Sequence, residues 1–161
     1  MSDTGTRWLS ADEQHSWRAF VLGSTLLMDQ LDQELRRDFR ISLTEYEILV
    51  RLSERPDRVM RMAQLADAVC HSRSRVTHTI SRMEKAGLVV REDCLEDGRG
   101  VQARMTDEGF ALLERAAPAH VEGVRHHFVD ACSPDDFAVM GRVMNAVTDR
   151  LIGAHPEAEI R

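Results

Sequence analysis

The sequence predicts a mainly α protein with a small β-hairpin wing, a winged helix-turn-helix. Three observations carry that expectation. Two short helical patterns, about Met62 to Val69 and Arg73 to Ala86, are separated only by Cys70-His71-Ser72. The second is studded on one side with Arg, Ser, Thr and His, while apolar residues recur on the other. Two alternating segments follow, Leu88 to Asp93 and Val101 to Met105, around an Asp97-Gly98-Arg99-Gly100 tip that reads as a hairpin turn.

The remaining elements follow in order. Ser10-Ala-Asp-Glu13 has the spacing of a capping box and opens a long helix with apolar residues at Trp17, Phe20, Val21, Leu27, Met28, Leu31 and Leu35, ending near Phe39. Ser42-Leu-Thr-Glu45 opens a second helix, which stops before Pro56. Arg58 to Arg61 fits a brief strand. Gly87 stands where a left-handed C-cap is needed after the fourth helix. Thr106 caps a fifth helix expected to reach about Cys132, with a kink or break at Pro118, whose ring removes a backbone donor. Ser133-Pro134 pairs an N-cap with proline at the first helical position, starting a last helix to about Ile152. The order is α-α-(β)-α-α-β-β-α-α. It divides into a winged helix-turn-helix region at 42–106 and dimerisation helices at 10–40 and 107–152. The apolar stripes of these outer helices (Phe20, Leu27, Leu31; Phe128, Val129; Phe137, Met140, Val143) exceed what one small domain covers, so a second copy is expected.

A chain of 161 residues, 43% hydrophobic and 30% charged, suits one soluble globular unit. Charged residues interrupt every apolar run, no secretory signal pattern opens the chain, and the expected location is cytoplasmic. The net charge of −6 is unevenly spread. Residues 51–104 hold ten Arg and one Lys against eight acidic residues, while both flanks are acidic. Within 70–91, Arg73, Arg75, Arg82, Lys85 and Arg91 stand against Glu84 alone. A basic zone between acidic flanks, coinciding with the two short helices, points to double-stranded DNA as the partner.

On a helical wheel Val76, Ile80 and Met83 form the buried stripe of the second short helix. Ser74, His78, Ser81 and Lys85, with Arg75, Thr77 and Arg82 more oblique, lie opposite. Short hydroxyls allow close approach to a major groove, and Arg or His reaches base edges or phosphates. An arginine at the hairpin tip, Arg99, suits the negative potential of a narrow minor groove. Asp97, two residues before it, is placed to hold that guanidinium. An ordinary amphipathic surface helix is the alternative for this helix taken alone, and a winged helix used only for protein contacts is the alternative for the region.

Ser72-Arg-Ser-Arg-Val-Thr-His78, Met83-Glu-Lys-Ala-Gly-Leu-Val89, Arg91-Glu92, Asp97-Gly-Arg-Gly100 and Met105-Thr-Asp-Glu-Gly109 resemble the multiple-antibiotic-resistance regulator (MarR) family of winged-helix regulators. The resemblance extends over essentially the whole chain. It implies a homodimer with interleaved N- and C-terminal helices, probing a pseudo-palindromic operator with the fourth helix in major grooves and Arg99 in the flanking minor groove. The DNA-binding set is then Ser72, Arg73, Ser74, Arg75, Thr77, His78, Ser81, Arg82, Lys85, Asp97 and Arg99, with Asp97 positioning Arg99 rather than touching DNA. One departure is His78, where many members carry Arg, Gln or Asn. The resemblance also implies a repressor released by a small aromatic or anionic effector. His15, Trp17, Arg18, Phe20, Met28 and Tyr46 fall where the family's effector cleft is walled, although Trp17 and Phe20 also suit a core.

Two other modes of regulation compete. Cys70, Cys94 and Cys132 form no CxxC pair and read as free thiols, but oxidation of Cys70, beside the reading helix, or Cys94, on the wing, would disturb binding. Glu122 and His126 are four apart, with His120 and His127 nearby, a spacing that can bind zinc. No phosphate-binding glycine loop, nucleophile elbow or HExxH motif occurs, so neither an enzyme nor a cofactor is expected.

Overall fold

Nearly every helix begins at a side chain that satisfies its first free N–H groups. In a computed structural model describing residues 5–94 and 100–154, Ser10, Ser42, Ser72, Thr106 and Ser133 are N-caps, each hydroxyl accepting from the N–H three residues on. They open α1 (Ala11–Phe39), α2 (Leu43–Ser53), α4 (Arg73–Lys85), α5 (Asp107–His127) and α6 (Pro134–Leu151). At both predicted capping boxes Glu13 and Glu45 return a bond to the cap residue's N–H. The short α3 (Met62–Ala68) follows β1 (Val59–Arg61) without a side-chain cap.

The wing strands are β2 (Val89–Asp93) and β3 (Val101–Met105). With β1 they form an antiparallel sheet in the order β1-β3-β2, pairing Met60 with Ala103 and Arg91 with Ala103 from either side. The wing is therefore tied to the body through its inner strand. Gly87 has φ +75°, the left-handed conformation that turns the chain from α4 into β2. Gly109 lies so close to the Leu88 carbonyl that a side chain there would collide with it. Thr106 donates to the Gly87 carbonyl at 2.7 Å while capping α5, fixing the start of α5 beside the end of α4.

Ile48, Leu49, Leu52, Leu65, Val76, Ile80, Met83 and Val89 make one core where α2, α3, α4 and the sheet converge. The expected stripe Val76, Ile80, Met83 is fully inside it, joined by Thr79, whose hydroxyl bonds back to the Arg75 carbonyl. Leu35 of α1 and Leu112, Leu113 and Ala116 of α5 complete it.

The fifth helix corrects the expected end near Cys132 and excludes a break at Pro118. It runs through Pro118 as one α-helix and ends at His127, before a 3-10 turn at Val129–Ala131. Proline forfeits one backbone bond, but packing holds the helix on both sides of it. Leu112, Leu113 and Ala116 are buried before it, and Gly123 lies against Leu31 and Glu34 of α1 beyond it.

The outer helices are largely unpartnered. Only Leu31 and Leu35 of the 29-residue α1 are buried, and α6 has no buried residue. Trp17, Phe20, Val21, Leu22, Leu26 and Met28 of α1 are exposed, as are Val139, Val143, Val147 and Leu151 at four-residue spacing on α6.

Candidate nucleic-acid interface

The core stripe of α4 fixes which side faces out. Ser72, Arg73, Ser74, Arg75, Thr77, His78, Arg82 and Lys85 are exposed and Ser81 is partly so. The structure thus brings nine of the eleven sequence-predicted DNA residues onto one helix and its cap. Asp97 and Arg99 lie outside the described residues.

Two of these side chains also have local work. The Ser72 hydroxyl accepts from Arg75 N–H at 3.3 Å, and the Thr77 hydroxyl donates to the Arg73 carbonyl at 2.9 Å. Cys70, with φ +51°, turns the chain sharply between α3 and α4. His71 is partly buried; burial, then the Arg75 charge, lowers its pKa below the ordinary 6.5. A groove of about 310 Å³ between α3, α4 and the wing base is lined by Arg61, Met62, Ala63, Arg73, Thr77, Gly100 and Val101.

Carboxylates brace this basic face from behind. Glu84 of α4 accepts from the Arg91 N–H at 3.0 Å and pairs with its guanidinium at 2.7 Å, which lowers the Glu84 pKa. Glu45 of α2 lies 3.4 Å from Arg82 Nε. Glu47 of α2 has its pKa raised by burial, against the opposing pull of Arg51 and Arg75. Sequence spacing gave no sign of the Glu45 pairing, because its partners lie on different helices.

The six expected effector residues are not gathered within one chain. Trp17 and Phe20 touch, with ring centroids 5.8 Å apart, but are 57% and 47% exposed. His15 and Arg18 are exposed beside them, and Met28, 51% exposed, lies about 12 Å further along the helix from Phe20 at the usual rise. Tyr46 is buried on α2, its ring 4.4 Å from that of His120. Trp17 and Phe20 therefore do not fill the core of their own chain. A separate cleft of about 530 Å³ opens between α1 and α5, lined by residues that include Leu31, Glu34, Leu35, Phe39, His120 and His127. His120 Nδ1 is buried there without a hydrogen-bond partner, and desolvation lowers the His120 pKa.

The four residues spaced for zinc, His120, Glu122, His126 and His127, all line this cleft, but His127 Nε2 lies 2.7 Å from Glu34 and the His120 ring packs at a tilt against Tyr46. Among the described residues no group of three or more His, Cys, Asp or Glu is arranged to hold a metal. All three thiols are free: Cys70 is exposed, Cys132 intermediate, and Cys94 buried with Sγ 3.6 Å from Gln102. Among the described residues no helix is long and apolar enough to cross a membrane.

An exposed basic helix, seated on a helix-turn-helix core and followed by a two-stranded wing, defines a winged-helix protein. Residues 41–101 match the MarR family. The crystal structure of Sco3205, a MarR family transcriptional regulator from Streptomyces coelicolor in complex with DNA, is 42% identical, has a TM-score of 0.88 and covers 92% of both chains. AbsC, a MarR family regulator from the same organism, is 41% identical with a TM-score of 0.86, over 92% of this chain and 99% of its own. The HTH-type transcriptional regulator PecS of Dickeya dadantii is 32% identical over 102 residues, which span 63% of this chain and 61% of PecS. This chain belongs to the MarR family of transcriptional regulators.

Proposed function

We propose that the protein acts in the cytoplasm as a homodimer that binds double-stranded DNA at a pseudo-palindromic operator and represses transcription there. The observation that carries this reading is the two-sidedness of α4. Val76, Ile80 and Met83 lock one face into the core, while Ser72, Arg73, Ser74, Arg75, Thr77, His78, Ser81, Arg82 and Lys85 line the other. A rigid helix with a cationic, hydroxyl-rich outer face suits a major groove. In this reading Arg99 takes the flanking minor groove, as the family resemblance implies, and Asp97 serves to position it. Sco3205, a relative covering almost the whole chain and solved in complex with DNA, supports DNA as the partner.

Dimerisation is supported by the apolar residues of α1 and α6 that stay exposed among the described residues. Residues 10–40 and 107–152 form the dimer in this reading, and 42–106 the reading head. A small aromatic or anionic effector releases the DNA. Trp17, Phe20 and Met28, exposed on α1, meet such a ligand only beside the second copy, with His15 and Arg18 to orient it, and Tyr46 belongs to the same copy's reading head. Sedimentation velocity at micromolar concentration, followed by DNA titrations across a salt series, tests the reading. A dimer whose DNA affinity falls steeply with salt is expected. A stable monomer, or binding indifferent to salt, overturns it.

A further inference from the structure

Glu45 divides its carboxylate between two elements. Oε2 accepts from the Ser42 N–H at 2.7 Å and the Ser42 hydroxyl at 2.9 Å, completing the cap of α2. Oε1 lies 3.4 Å from Nε of Arg82 on α4. The Glu45 side chain is 12% exposed and that of Arg82 is 62% exposed, so a nearly buried acid holds an arginine that projects outward. The α2 terminus is itself anchored. Asp32 of α1 accepts from the Leu43 N–H at 2.8 Å and pairs with Arg36 at 2.5 Å.

A guanidinium has five N–H donors in a planar fork. Contact along the Nε edge leaves Nη donors for another acceptor and restrains a long side chain before any ligand arrives, which reduces the ordering cost of binding. We infer that Glu45 is a positioning residue for DNA recognition, holding Arg82 by its Nε edge so that the outer Nη donors are preset for a phosphate. This rests on the reading of α4 as the DNA-contacting helix. The bare electrostatic expectation has the opposite sign: a carboxylate close to DNA repels phosphate, so its removal would tighten binding.

Glu45→Gln keeps the side-chain length and an amide oxygen able to serve the Ser42 cap, but removes the charge that holds Arg82. Binding is measured by fluorescence anisotropy across a salt series, on a duplex selected from random sequence and on an unselected duplex. Unfolding curves accompany each variant. Glu45→Gln is expected to weaken both duplexes about two- to fivefold, the size of one partly exposed ion pair. It is also expected to lower the slope of log Kd against log salt by about 0.9 for each phosphate that Arg82 no longer neutralises, a change that mere loosening of the α2 cap would not produce. In an Arg82→Ala background the Glu45 substitution should add nothing. Arg82→Lys leaves the α2 cap intact and retains the charge while removing the Nε edge, so it should bind more weakly than the wild type even if Glu45→Gln does not fold. Tighter binding by Glu45→Gln, an equal loss in the Arg82→Ala background, or wild-type binding by Arg82→Lys overturns the positioning role. Unchanged affinity in Arg82→Ala would instead remove that arginine from the DNA interface, and Glu45 would have nothing to position.

Discussion

Glu84 and Arg91 join the reading helix to the wing. The carboxylate accepts both the Arg91 backbone N–H at 3.0 Å and its Nε at 2.9 Å, so one side chain fixes the strand and the guanidinium together. The bond to the backbone ties β2 to the last turn of α4. Because both substitutions remove the same ion pair, unfolding of Glu84→Ala, Arg91→Ala and the double variant should be strongly non-additive, the double being little less stable than the worse single. Simple additivity in urea titrations would show that the pair does not couple helix and wing.

Arg75 lies in the first turn of α4, on the face away from Val76 and Ile80. Helix-turn-helix proteins contact base edges chiefly from that end of the recognition helix. Arg75→Ala should therefore reduce affinity for a selected operator by about 1–3 kcal/mol while sparing unselected DNA. Lys85→Ala, at the opposite end, should weaken both together. Gel-shift titrations on the two duplexes check this, and unchanged affinity in both variants would mean that another face meets the DNA.

For the wing tip, Arg99→Ala should cost affinity mainly on operators with A/T-rich flanks, where a narrow minor groove attracts a guanidinium. Asp97→Asn should give a smaller loss of the same kind. Removal of a carboxylate near phosphates would otherwise tighten binding, so the two accounts differ in sign. Tighter binding by Asp97→Asn on A/T-rich flanks would end the positioning role assigned to Asp97.

Burial of His120 against Tyr46, with Nδ1 unpartnered, disfavours its charged form in the folded chain. The folded pKa lies below the ordinary 6.5, so as pH falls the unfolded chain takes up the proton first. Stability should decline as pH drops through about 6.5 towards the folded value, and be complete above it. His71 contributes with the same sign. His120→Phe, which keeps a ring beside Tyr46, should show a shallower decline between about pH 7.5 and 5.5 in denaturant titrations. An identical pH dependence in both proteins would refute the assignment.

Much of this fold is legible locally. Ser10 with Glu13, Ser42 with Glu45, Gly87 and the Ser133-Pro134 pair mark element ends through contacts within a few residues, and the structure has each as expected. The outward face of α4 follows from Val76, Ile80 and Met83. What the sequence concealed is non-local. Pro118 signals a kink or a break, yet α5, packed on α1 and α2, continues through it as one helix. Periodicity marks Trp17, Phe20 and Met28 as one kind of surface but does not say whether their own core or a second copy covers them. The Glu45–Arg82 pairing depends on how two helices cross, which no spacing along the chain encodes.

Selection of binding sites from a pool of random-sequence duplexes tests the central claim most directly. A homodimer with α4 as its reading helix should enrich an inverted repeat whose half-sites are centred about 10 base pairs apart, or a multiple of that. Two chains should bind each selected duplex, and Arg75→Ala should abolish enrichment at positions within the half-sites. Enrichment of a single unrepeated site, or no enrichment beyond the starting pool, would contradict the account.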